Sequence, residues 1–293
     1  MSSIINDLND RFAIGGVARF EAGQGGLIRL SIATDQATAA VYPHGAHVTH
    51  FQSSGDEPLL WMSEKSHFKT GQPIRGGVPV IFPWFGPRQD DPDAPAHGLV
   101  RTAEWSVTEV DRLDDGTVRV SLGISLDSFN IVYRVSVGRR LGLEMIVDNL
   151  SDTSASFEQA LHTYLTVGDV RQIRVVGLEG ATYIDKVDGM ARKQQSAAPI
   201  RFAGETDSVY LDTEAIVRVE DPVLARTIVV QKSGSLSTVV WNPWTAKASR
   251  MADFGDDEWP GMVCIETANV ADNSIDLAPG DSATMTATLE IES

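Results

Sequence analysis

Val118-Arg119-Val120-Ser121-Leu122-Gly123-Ile124-Ser125-Leu126 alternates an apolar residue with a small or polar one along its whole length. Successive side chains of an extended chain point to opposite faces, so this period of two reads as a strand buried on one side and wet on the other. Working outward, Leu141 to Val147, Ile216 to Val219, Ile228 to Val230, Val239 to Trp241 and Ala283 to Ile291 are further short strand candidates. Asp114-Asp115-Gly116, Ser233-Gly234-Ser235 and Pro279-Gly280-Asp281 supply turns between them. Only Ser3 to Phe12 reads as a short helix, and after residue 15 no run of helical period is long enough to cover a sheet. Many strands without crossover helices predict an all-β fold of large antiparallel sheets packed face to face. No linker, low-complexity tract or repeat divides the 293 residues. One sandwich domain over 1–293 is therefore expected, with 1–14 as a helical N-terminal extension.

The net charge of −16 excludes function classes that need a cationic surface, namely nucleic-acid and anionic-membrane binding. It leaves room for a small anionic ligand, because a few arginines at close range outweigh a distant field. No stretch approaches 18 unbroken apolar residues, so no spanning helix is expected. The N-terminus lacks a basic and then apolar leader, and Cys264 is the single cysteine. Both point to a cytoplasmic protein without an internal disulfide.

Read as one strand, Ser156 to Leu165 turns Phe157, Leu161 and Leu165 one way and Glu158, Ala160, His162 and Tyr164 the other. The second face carries an imidazole and a phenol, as a cleft floor would; a buried histidine held by one hydrogen bond fits the same pattern. In Met262 to Val270, Glu266 shares a face with Met262 and Cys264. Desolvation there would raise its pKa toward that of a useful base, whereas a strand-end glutamate facing water fits equally. His162 and Glu266 stand 104 positions apart, and spacing alone does not join them. Arg75 and Arg88 flank a Gly/Pro-dense loop, and Arg101 follows His97-Gly98. Each could bind phosphate through its planar fork or be a solvated surface charge. Trp84, Trp241, Trp244 and Trp259 could pack on a sugar face or in the core.

Other patterns carry less. His44, His47 and His50 alternate faces if extended and cannot grip one ion. The acidic loops Asp90-Asp91-Pro92-Asp93 and Asp253 to Glu258 lack EF-hand spacing. Gly23-Gln24-Gly25-Gly26 is followed by strand residues, not by the helix of a dinucleotide site.

Five segments in order resemble the aldose 1-epimerase superfamily, and more closely its hexose-6-phosphate mutarotase branch. They are Arg75-Gly76-Gly77-Val78-Pro79-Val80-Ile81-Phe82-Pro83-Trp84-Phe85-Gly86-Pro87, Ala96 to Arg101, Ala160 to Leu165, Trp241-Asn242-Pro243-Trp244 and Cys264 to Val270. The resemblance, over roughly residues 15–290, implies a galactose mutarotase-like β-supersandwich without cofactor or metal. It implies His162 as general acid and Glu266 as general base, with Arg75 and Arg101 binding substrate through its phosphate. His97 would contact the sugar and Asp207 would hold its hydroxyls. Ala96 departs from relatives that carry Gln before the His-Gly pair. The implied activity is anomer exchange of glucose 6-phosphate and related aldohexose 6-phosphates by a monomer whose partner is that small molecule. A mutarotase for unphosphorylated aldoses and a catalytically inactive carbohydrate-binding sandwich are the alternatives. A glycosidase would use two carboxylates, not an imidazole and a carboxylate.

Overall fold

The computed structural model describes residues 1–88 and 90–292. Helix Ser2–Phe12 lays Ile5, Leu8 and Phe12, spaced three and four apart, on the core and leaves Ile4 in solvent. The rest is dominated by antiparallel sheet. A four-stranded meander, Ala18–Ala22, Ile28–Ala33, Ala37–Tyr42 and His47–Ser53, comes first. One eight-stranded sheet runs from Arg174–Val176 through Val217–Asp221, Arg226–Ser233, Ser282–Glu292, Leu141–Asn149, Phe129–Val137 and Val118–Leu126 to Ser106–Arg112. A second runs from Ala191–Gln194 through Thr182–Asp185, Thr206–Tyr210, Ser237–Asn242, Met262–Asn269 and Gln159–Leu161 to Val80–Ile81. Tyr164–Thr166 also pairs with Met262–Asn269 in that second sheet. The candidates around Val118–Leu126, Leu141–Asn149, Val217–Asp221, Arg226–Ser233, Ser237–Asn242 and Ser282–Glu292 lie in these two sheets.

The sheets meet through one large apolar cluster. Tyr133, Val135, Met145, Met285 and Leu289 of the first join Leu161, Leu165, Val240, Val263 and Ile265 of the second. Alternation is sustained from Ile131 in Phe129–Val137 and throughout Leu141–Asn149, where every second residue is buried. In Val118–Leu126 it holds for Val118, Val120 and Leu122 and relaxes at Ile124 and Leu126, which are half-buried. Among the described residues no helix is long and apolar enough to cross a membrane.

One expectation is corrected. Ser156 to Leu165 is not a single strand but three short ones. Ala155–Phe157 pairs with Ile275–Leu277 in a separate two-stranded sheet, while Gln159–Leu161 and Tyr164–Thr166 join the second large sheet. Glu158 marks the first break because its carboxylate accepts the N–H groups of Phe85 and Ala271, both at 2.7 Å. It clasps two loops and does not share the face of His162. The second break falls at His162-Thr163, where the Thr163 N–H closes a tight turn on Leu161 O at 2.9 Å.

Candidate active site

The register of one strand assembles the site. Met262–Asn269 pairs Asn269 with Gln159, Thr267 with Leu161 and, past the break, Cys264 with Tyr164. The numbering does not slip across the break, so His162 comes opposite Glu266. On the other side of the strand, Val239 faces Glu266 and Trp241 faces Cys264, with Val209 and Asp207 beyond them. Two neighbouring rows thus cross one face of the sheet. One reads Val209, Val239, Glu266, His162; the other reads Asp207, Trp241, Cys264, Tyr164. Residues far apart in sequence become cross-strand neighbours because residues two apart on a strand share a face.

His162 Nδ1 lies 3.4 Å from Glu266 Oε1. The imidazole stacks on Tyr164 with centroids 4.8 Å apart and planes within 6°. His97 and Trp241 meet it edge-on at 5.6 and 5.9 Å. Three rings therefore fix its orientation. His162 is 7% and Glu266 1% exposed, and Glu266 Oε2 is buried without a hydrogen-bond partner. Burial pushes His162 well below its ordinary 6.5, helped by His97, Arg75 and Arg101 nearby. Burial pushes Glu266 well above its ordinary 4.5; Asp207 adds to this and Lys186 opposes it. Burial thus disfavours the charged form of both groups and moves them toward each other from their ordinary values.

A rim of cations surrounds the pair. Arg75 rides on Gly76-Gly77, whose backbone has φ of +112° and +60° and presses on the chain beside it. A Cβ on Gly76 would stand 2.5 Å from Trp61 O, and one on Gly77 would stand 2.2 Å from Val48 O, so only glycine fits. His44 and His47 tie down the same loop, each with Nε2 at 2.8 Å from a backbone carbonyl, that of Gln72 or Gly76. Burial holds His47 neutral, with its pKa pushed down to about 3. His50 turns the other way, to Thr38 Oγ1 at 3.0 Å. The guanidinium of Arg75 grips Asp253 at 3.1 to 3.2 Å and donates to the Tyr164 hydroxyl at 3.0 Å.

Arg101 lies in the turn Val100–Thr102 and donates from Nη2 to Ala96 O at 2.6 Å. No carboxylate pairs with it among the described residues, and its Nε is buried without a partner. Burial and the nearby Arg75 push its pKa down to about 10. His97 has φ of +65° and accepts the Gly86 N–H on Nδ1 at 3.3 Å, which leaves the proton on Nε2. Burial, then Arg101, Lys186, Arg75 and Lys247, hold it well below 6.5. Asp207 is clamped by Lys186 at 3.2 Å and Lys247 at 3.7 Å, and Lys247 also meets Glu205 at 3.0 Å.

All six residues expected from the sequence, His162, Glu266, Arg75, Arg101, His97 and Asp207, therefore surround one place. Arg88 pairs instead with Asp90 at 2.8 Å and covers Trp84 at the exposed rim. Of the tryptophans, Trp241 stands beside His162, while Trp244 and Trp259 pack on each other at 4.2 Å. The sequence reading missed Lys186 entirely and took Asp253 for a loop acid. Neither sits in a motif; each reaches the site only through a partner far away in the chain.

A model of the aldose 1-epimerase family matches residues 28–290. A Salmonella typhimurium protein named "Putative glucose-6-phosphate 1-epimerase" is 35% identical over 243 residues, which span 79% of this chain and 80% of that one. A Cenchrus ciliaris protein of the same name is 34% identical over 260 residues, 83% of this chain and 78% of that one. The crystal structure titled as a putative mutarotase from Salmonella typhimurium superposes with a TM-score of 0.88 at 28% identity, over 98% of this chain and 99% of the other.

Proposed function

Because the chain belongs to the aldose 1-epimerase family, we propose that this isomerase interconverts the α and β anomers of glucose 6-phosphate and related aldohexose 6-phosphates. The observation that carries the reading is the cross-strand His162–Glu266 pair, buried at 3.4 Å inside a ring of cations. The names of the relatives add the phosphorylated substrate.

Glu266 takes the proton of the anomeric hydroxyl O1 as His162 gives one to the ring oxygen O5. The C1–O5 bond breaks with its electron pair on O5, and C1=O1 forms. The open aldehyde turns about C1–C2. O5 then attacks the other carbonyl face, its proton returns to His162, and Glu266 returns a proton to O1. Atoms and charges balance, and the pair ends as it began. Each positioned transfer contributes about 10² to 10⁴ in rate. The neutral pair and the imidazolium–carboxylate pair differ by one proton moved across the 3.4 Å contact.

Phosphate takes no part in the chemistry. Arg101, which pairs with no carboxylate among the described residues, binds it with Arg75 alongside. Asp207, Lys186, Lys247 and His97 face the sugar hydroxyls. Anchoring at a remote group keeps the open chain in place while C1 turns. We read the chain as a single domain acting as a cytoplasmic monomer. Exchange spectroscopy of glucose 6-phosphate and glucose with the purified protein tests the function. Fast exchange of the phosphate ester with slower exchange of glucose is expected. Equal rates would support the free-aldose reading, and no exchange of either would leave a binding protein.

A further inference from the structure

Cys264 occupies the neighbouring row to the His162–Glu266 pair, two residues from Glu266 on the same strand and on the same face. The donor atoms of His162, Cys264 and Glu266 all lie within 4.8 Å of one another, and the three side chains are all buried. His162 Nδ1 and the other carboxylate oxygen of Glu266, Oε2, are buried without a hydrogen-bond partner. The mechanism above uses the pair but gives the thiol no role. We propose that these three side chains form a binding site for a zinc-type divalent ion, and that filling it shuts the enzyme off.

The donor set selects the ion. Imidazole, thiolate and one carboxylate suit zinc and neighbouring borderline-soft ions, whereas magnesium and calcium demand oxygen. Tetrahedral zinc with bonds of about 2.1 Å to nitrogen and oxygen holds those atoms about 3.4 Å apart. The observed separation of His162 Nδ1 and Glu266 Oε1 is 3.4 Å. Sulfur at a bond of about 2.3 Å belongs about 3.6 Å from each, inside the 4.8 Å that bounds the three donors. Three protein ligands leave the fourth position open toward the cleft.

Charge favours the same assignment. Thiolate plus carboxylate carry two negative charges, which cancel those of the ion, so the complex is neutral despite Arg75 and Arg101 nearby. Zinc takes the thiol as thiolate, so binding displaces the Cys264 proton. The ion is an inhibitor, not a cofactor, because it occupies the groups that move the protons.

The inhibition half rests on the mutarotase reading; the binding half does not. Metal-stripped full-length protein is dialysed against zinc chloride, and bound zinc is measured by elemental analysis. One zinc per chain, removed by chelator, is expected, with affinity more than about tenfold weaker in Cys264→Ala and in Glu266→Gln. Cobalt(II) should give a thiolate charge-transfer band in the wild type and none in Cys264→Ala; Cys264→Ser serves where alanine does not fold. Anomer exchange by the wild type should fall in step with zinc occupancy, while the exchange shown by Cys264→Ala should not fall over the same zinc concentrations. Absence of zinc binding, or equal binding by all three proteins, overturns the site. Full exchange at full occupancy overturns the inhibition. Should metal-free wild type show no exchange, the mutarotase reading fails, and the dialysis and the cobalt band still decide the site.

Discussion

The two eight-stranded sheets are built from the same antiparallel ladder and put opposite things at their centres. In one, Leu141–Asn149 alternates buried and half-buried residues, and those buried from Leu141 to Val147 are apolar. In the other, Met262–Asn269 is buried at every position and carries Glu266, Thr267 and Asn269 among them. Thr267 and Asn269 stand in the ladder opposite Leu161 and Gln159, and Asn269 Nδ2 donates to Gly234 O at 2.8 Å. Among the described residues, Glu266 has only His162 within ion-pair reach. A strand that faces water on one side is set by hydrophobic pattern alone. A strand covered on both sides must hold any polar residue at a cost in stability, and here that cost falls on the pair proposed to do the chemistry.

The largest expected effect lies on the covered strand. His162→Asn or Glu266→Gln should lower anomer exchange by about 10² to 10⁴ with the unfolding transition retained, as read by exchange spectroscopy and urea melts. Near-normal turnover in either variant would remove that residue from its role. Next comes the rim. Arg101→Leu should raise KM for glucose 6-phosphate about 10- to 100-fold, the worth of a charge-assisted hydrogen bond, and leave free glucose unaffected. Equal losses on both substrates would contradict phosphate recognition by Arg101.

Stability should separate the sheets in a pH-dependent way. Glu266 has its folded-state pKa raised above the ordinary 4.5, so the folded chain holds that proton more tightly than the unfolded one does. Stability from this group is whole below about 4.5 and is lost as pH rises through the raised value. Glu266→Gln escapes the loss and should gain on the order of 1–3 kcal/mol over the wild type at pH 8, and little at pH 5. Urea midpoints at the two pH values test this; a gain that is the same at both contradicts the burial argument. The smallest effect belongs to the half-wet sheet. Arg134 and Glu144 pair at 2.8 Å with their side chains 39% and 34% exposed. Glu144→Gln should cost less than about 1 kcal/mol and leave exchange unchanged.

This contrast also explains what the sequence disclosed. Val118–Leu126, Leu141–Asn149 and Ser282–Glu292 were legible because one wet face imposes alternation. The shared side of His162 and Tyr164 survived even though the chain breaks beside them, as their stacked rings attest. The approach of His162 to Glu266 was not legible, since a register set by the whole sheet joins segments that no turn links. Glu158 was misread because two backbone N–H groups from remote loops draw its carboxylate away. Asp253 and Lys186 enter through ion pairs with Arg75 and Asp207, and single-residue charges leave no periodic trace.

The most direct test is the α/β exchange rate of glucose 6-phosphate in the double variant His162→Asn/Glu266→Gln beside the two single variants. If the pair moves its protons as one unit, the double variant is no slower than the slower single one. If the losses multiply, the imidazole and the carboxylate act independently, and the shared-proton account is wrong.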